Sequence, residues 1–197
     1  MNERRVRSLQ FLTLQVVGAV AVIHFAVGTD QLATLAAGGL LDEYTGGRFL
    51  ERPRGPLFVV SALALLGGIV ATARGRLDRR TAYQLGVLAM VGYLGGWVAW
   101  HTVLDHGFAL SGGAPATTAH SHGGLLDTLY SHYVAPLAAA VGAATSSGGS
   151  ARTLLGIVSV TLELLAVVLL ALLLRYDPDA QTGGLPFGFT FEAPGGD

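Results

Sequence analysis

From Tyr83 to Leu104 the chain reads YQLGVLAMVGYLGGWVAWHTVL, with no aspartate, glutamate or arginine in it. A helix needs about 20 mostly apolar residues to cross the hydrocarbon of a bilayer, so this run predicts a membrane span. Three other segments qualify in the same way: 9–28 (LQFLTLQVVGAVAVIHFAVG), 56–74 (PLFVVSALALLGGIVATAR) and 153–174 (TLLGIVSVTLELLAVVLLALLL). Charged residues make up 13% of the chain and the mean hydropathy is +0.54, whereas soluble domains carry about 25% charged residues. The expected fold is therefore all-α, an integral membrane helix bundle of four transmembrane helices occupying residues 1–176.

The opening MNERRVRSLQ followed by apolar residues has the look of a signal peptide. Its apolar run continues to Gly28, past the roughly 7–15 residues of a signal core, and no small-x-small cleavage site follows. It reads as a retained first span. With no cysteine in the chain, disulfides, thiolate zinc sites and iron–sulfur clusters are excluded. A net charge of −1 gives no pull toward nucleic acid.

Arginine placement gives the threading. Arg4, Arg5 and Arg7 precede the first span, Arg74, Arg76, Arg79 and Arg80 lie between the second and third, and Arg175 follows the last. The segment 105–150 has no arginine. The positive-inside rule then predicts a multi-pass protein of the cell membrane with both termini cytoplasmic and the 105–152 loop outside.

Within that loop, helical spacing over 125–144 places Leu126, Leu129, Tyr130, Tyr133 and Leu137 on one face. This predicts an amphipathic helix, interfacial or re-entrant, kinked at Pro136; a fifth span is the alternative. The Gly- and Pro-rich 177–197 reads as a flexible cytoplasmic tail.

Three groups of residues could carry chemistry. His24 and His101 fall at similar depth near the outer ends of the first and third spans. Facing histidines on two helices suit haem b, a divalent metal or a quinone, and Asp105, one turn after His101, could orient its ring. His106, His120 and His122 in the outer loop form a second set, with His132 nearby, whose alternating imidazoles suit a divalent metal. Glu163 is the third, near the middle of the last span, where a carboxylate must find a donor, stay protonated or mark a proton or ion path. Gln15, Tyr93 or a histidine are its candidate donors, and Ser159 shares its helical face. Gly92, Gly95 and Gly96 suggest close helix packing, and Trp97 and Trp100 suit an interfacial belt.

The layout of four short spans, with a histidine late in the first and an arginine turn in PLFVVSALALLGGIVATARGRLDRRTAY, resembles the DoxX-type small membrane proteins. Length and helix count are similar. The long outer insert and the histidines depart from that pattern, so no functional residue is carried over from it. No nucleophile elbow, phosphate loop, kinase or zincin motif is present. The sequence predicts a non-enzymatic accessory or binding subunit holding haem, metal or quinone between the first and third spans. Its expected partners are the lipid bilayer and other membrane subunits. The alternatives are a small proton- or ion-coupled transporter using Glu163, and a purely structural membrane partner.

Overall fold

A computed structural model describes residues 2–39, 54–102, 125–143 and 151–181. Every regular element among them is helical: α1 Glu3–Ala37, α2 Arg54–Ala73, α3 Arg79–His101, α4 Leu125–Leu129, a π-turn Tyr130–Val134, α5 Ala135–Ala143, α6 Ala151–Tyr176 and α7 Pro178–Gln181. Four of these, α1, α2, α3 and α6, are long and apolar enough to cross a membrane.

Local chemistry sets the helix ends. Asn2 caps α1 by accepting from the Arg5 amide at 3.0 Å, so the helix starts six residues before the apolar run and carries the arginines on its first turns. α2 ends in a Schellman turn. Gly75 takes a positive φ of 67°, and the Arg76 amide reaches back to the Ala71 carbonyl at 2.9 Å, satisfying an otherwise unpaired carbonyl. Asp78 then caps α3 by accepting from the Thr81 amide at 2.9 Å. The arginine linker is thus a tight αα-hairpin written by one glycine and one aspartate.

Packing is uneven. α1 and α6 form the central pair: α1 lies against α2 and α6, and α3 lies against α6, while α2 and α3 touch each other much less. The core where α1, α3 and α6 meet is Val16, Val17 and Val20 from α1, Met90 from α3, and Ala166, Leu169 and Leu170 from α6. Burying one such side chain contributes about 1.5–3 kcal/mol in a soluble protein; between helices in lipid, close fit does this work instead.

Among the described glycines, the tightest approach is at Gly28 of α1. A Cβ there would stand 2.8 Å from the Gly55 carbonyl oxygen, 2.9 Å from Val59 Cγ2 and 3.0 Å from Phe58 Cβ. Gly86 of α3 makes a looser approach, 3.0 Å from the end of Leu170. Gly92, Gly95 and Gly96, expected to be packing glycines, have nothing within 4 Å of a would-be Cβ. The close helix contacts rest on glycines elsewhere.

The 125–144 helix forms, but not as one regular α-helix. The Ala135 amide donates to the Tyr130 carbonyl, five residues back, so the wider turn falls immediately before Pro136. Proline has no N–H for the carbonyl four residues earlier, and its ring crowds that carbonyl; a π-turn relieves both. The segment is tucked against the bundle, with the Tyr133 hydroxyl 2.8 Å from Thr161 Oγ1 of α6.

The bundle also runs past residue 176. Asp177 and Ala180 are buried at 1% and 2% exposure, and α7 packs on α3 and α6, so 177–181 belongs to the fold. Residues 182–197 lie outside the described residues.

Asp177 is the centre of a clamp at the arginine end. Its Oδ2 accepts from the Tyr83 hydroxyl at 2.7 Å and from Gln10 Nε2 at 2.8 Å; its Oδ1 accepts from the Asp179 amide and lies 3.6 Å from Arg79. Arg79 also pairs with Asp179. One carboxylate thereby ties α1, α3, α6 and α7.

Burial alone raises the Asp177 carboxyl. The hydrogen bonds from Tyr83, Gln10 and the Asp179 amide, with the Arg79 charge, outweigh it and hold the group below the usual carboxylate range. A depressed folded value means that the stabilisation is present above the ordinary range and is lost as pH falls through it. Thermal melts in detergent should therefore show wild type losing this stability between about pH 5 and about pH 2. Asp177→Asn should start less stable by about 1–3 kcal/mol, from poorly matched donors, and lose less on acidification.

Candidate functional site: a buried histidine–glutamate pair

The strongest concentration of polar chemistry inside the bundle lies one layer beyond the apolar core. His24 of α1 and Glu163 of α6 are both buried, with side-chain exposures of 7% and 3%, and His24 Nε2 lies 3.5 Å from Glu163 Oε1. Ser159, one turn before Glu163, donates its hydroxyl to Oε1 at 2.7 Å. His24 Nδ1 lies 3.0 Å from the Val20 carbonyl. A carbonyl can only accept, so Nδ1 carries the proton and Nε2 presents either a lone pair or, in the cation, a second N–H toward the carboxylate.

Aromatic rings hold the imidazole in place. Tyr93 of α3 stacks on it at 3.9 Å between centroids and 20° between planes, and Phe58 of α2 meets it edge-on at 4.8 Å and 83°. All four long helices contribute to this layer. The Tyr93 hydroxyl is itself buried and completes no hydrogen bond among the described residues, although Ser61 lies close by.

The arrangement can hold and pass a proton. With one proton shared, the pair is neutral, either as carboxylic acid and imidazole or as carboxylate and imidazolium. With none it carries a single negative charge, which a low-dielectric surrounding penalises heavily.

His24 and His101 occupy separate clusters. His24 stacks on Tyr93, eight residues before His101 on α3 and so about 12 Å lower along that helix axis at ~1.5 Å per residue. His101 Nδ1 bonds the Trp97 carbonyl at 2.8 Å, and its ring lies 4.7 Å from Trp97 and 4.7 Å from His132. Asp105, His106, His120 and His122 lie outside the described residues. Among the described residues no group of three or more histidine or acidic side chains is placed to hold a metal.

Near the same end, Arg54 opens α2 with its guanidinium carbon 4.6 Å from the Trp100 ring centre and 5.8 Å from that of Phe58. Sequence reasoning offered Gln15, Tyr93 or a histidine as donors for Glu163 and put Ser159 on its helical face, but it paired His24 with His101 and passed over Phe58 and Arg54. A signal for the pair existed. Counted from the arginine ends, His24 is fifteen residues from Leu9 and Glu163 thirteen from Tyr176, which is about 22 and about 20 Å at ~1.5 Å per residue.

No family model matches the chain, and no curated protein or solved structure compared with it matches either.

Proposed function

We propose that the chain is a four-span integral membrane protein that acts as a small proton-coupled transporter, with His24 and Glu163 as its proton-exchanging pair. The observation that carries this reading is the buried contact between two titratable side chains on different helices, 3.5 Å apart. Intramembrane ionisable groups are expensive and mark ion or proton paths. Both ring nitrogens of His24 already face a partner, Val20 on one side and Glu163 on the other. That engagement suits proton exchange better than ligation of haem.

Membrane insertion is supported by the outer surface of the bundle. Phe11, Val22, Val60, Leu88 and Val168 are all more than half exposed, which in water would form aggregation-prone patches and in lipid is ordinary. The arginines favour cytoplasmic termini. The Asp177 clamp then closes the cytoplasmic end, the apolar core forms a dry layer above it, and the His24–Glu163 pair lies on the outer side of that layer.

The test is proton movement. Protein reconstituted in liposomes loaded with a pH-sensitive dye should dissipate an imposed pH gradient, and this activity should require both His24 and Glu163. Flux equal to protein-free liposomes with a range of small solutes would sink the reading.

One contact favours a second role, as a metal-binding subunit. The His101 and His132 rings meet across two elements, and the Nδ1–H of His101 is fixed on a backbone carbonyl as in metal-bound histidines. On this reading purified protein retains zinc or copper, and elemental analysis of His101→Ala with His132→Ala finds it lost.

A further inference from the structure

The proton pair leaves open what travels with the proton, and the layer around it holds a second charge. Arg54 is only partly exposed, its guanidinium lies over the Trp100 and Phe58 rings, and among the described residues no carboxylate pairs with it. A guanidinium stacked on aromatic rings keeps its edge, with its forked N–H groups, available for a planar oxyanion. Phe58 links this cation to the proton site, since the same ring meets both Arg54 and His24. The Tyr93 ring stacks on His24, and its buried hydroxyl completes no hydrogen bond among the described residues, where buried polar groups ordinarily have one. The imidazole thus stacks on one ring with an unsatisfied hydroxyl and meets edge-on a second ring that also lies under the Arg54 cation. These rings belong to α2 and α3, which touch each other much less than α1 touches α2 or α3 touches α6.

We propose that the solute carried is a small monocarboxylate, bound through its oxygens to the Arg54 guanidinium, with Trp100 and Phe58 as its apolar walls. This rests on the proton-coupled reading above and extends it. A single guanidinium matches a single negative charge. A phosphate dianion would bring a second charge, and a ring-walled site offers no partner to offset its desolvation.

Charge balance then makes the coupling strict. In the empty state the Arg54 cation is offset by the unprotonated pair, with Glu163 as carboxylate and His24 neutral. In the loaded state the carboxylate offsets Arg54, and the pair binds one proton to become neutral. Both states carry no net charge, whereas anion without proton, or proton without anion, leaves one uncompensated charge beside the buried pair. One proton therefore moves with one carboxylate, electroneutrally.

Trp97 and Trp100 are the only tryptophans in the chain, so intrinsic fluorescence reports on the site directly. Purified wild-type protein in lipid nanodiscs is titrated with sodium propionate, and separately with sodium phosphate, at constant ionic strength. The expected result is a saturable change in tryptophan emission with propionate, absent with phosphate, and retained in Trp97→Phe. Arg54→Gln should abolish it, and Arg54→Lys, which keeps the charge but not the fork, should weaken apparent affinity about tenfold or more. Circular dichroism and size exclusion establish that both variants are folded. An unchanged propionate response in folded Arg54→Gln, or a phosphate response equal to that of propionate, overturns the proposal. Glu163→Gln separates the two readings, because it should still bind propionate while moving no protons. Glu163-dependent proton flux without any propionate response discards the carboxylate and leaves the proton pair standing. Propionate binding with flux indifferent to Glu163 keeps the Arg54 site and discards the coupling.

Discussion

Glu163→Gln should lower proton flux through reconstituted protein by about 100-fold or more, the scale of effect seen when a positioned proton-transfer group is lost. Glutamine has nearly the same shape, and its carbonyl still accepts from the Ser159 hydroxyl that now reaches Oε1 at 2.7 Å. Its amide cannot take up or release a proton at any accessible pH. The fold should survive, because a neutral side chain in a buried position removes a desolvation cost rather than adding one. Melting should shift by less than about 4 °C, equivalent to roughly 1 kcal/mol for a chain of this size. Dye-loaded liposomes report the flux, and a detergent melt on the same preparation reports the stability. Retained flux in a folded Glu163→Gln protein would remove the carboxylate from the path. His24→Gln provides the companion test, since it deletes the other half of the pair and should be as inactive.

Gly28→Leu is expected to give the largest loss of stability of any single change in α1. Even the first carbon of the new side chain would stand 2.8 Å from the Gly55 carbonyl oxygen, and that neighbour is backbone. It cannot swing aside as the tip of Leu170 can beside Gly86, so α1 and α2 must separate. Over-packing costs typically about 1–3 kcal/mol, occasionally more, and here the separation also withdraws Phe58 from His24. Gly95→Ala serves as the control, because open space surrounds that position. It should melt within about 0.5 kcal/mol of wild type, as substitutions away from packed features do. Equal destabilisation by the two changes would mean that the crossing at Gly28 is not a close contact.

The contrast between these glycines marks where sequence legibility ended. Helix existence was legible, because Tyr83–Leu104 and its three counterparts are long, uncharged or nearly so, and bounded by arginines. Their ends were less so. Asn2 and Asp78 extend α1 and α3 through residues too polar to belong to an apolar run, and a cap is a hydrogen bond that hydropathy does not register. Partner choice was not legible at all. Gly92, Gly95 and Gly96 have the composition of a packing face, yet a helix face packs only if a neighbour lies against it, and which helices are neighbours is a property of the whole bundle. The same gap separated His24 from Glu163. Each stood out as a polar residue in an apolar run, but measuring His24 from its outer end led to His101. Measuring from the arginine end gives the depth of Glu163. The first five residues of the 177–197 segment pack for a related reason: Asp177-Pro178-Asp179 resembles a solvated turn until Tyr83 and Gln10 are seen to converge on the first aspartate.

Three of the features described above lie on one rod. α1 runs unbroken from Glu3 to Ala37 without a proline, carrying Gln10 at the Asp177 clamp, His24 at the proton pair and Gly28 at the crossing with α2. By rise along the helix, His24 lies about 6 Å from Gly28 and Gln10 about 27 Å from it. If the tight crossing serves as fulcrum, a sideways shift of about 1 Å at His24 becomes about 4.5 Å at Gln10 by the ratio of those arms. That is more than the 2.8 Å length of the Gln10–Asp177 hydrogen bond. A helix is stiff enough to behave as a lever, and this one has its short arm at the proposed proton pair and its long arm where the bundle is latched.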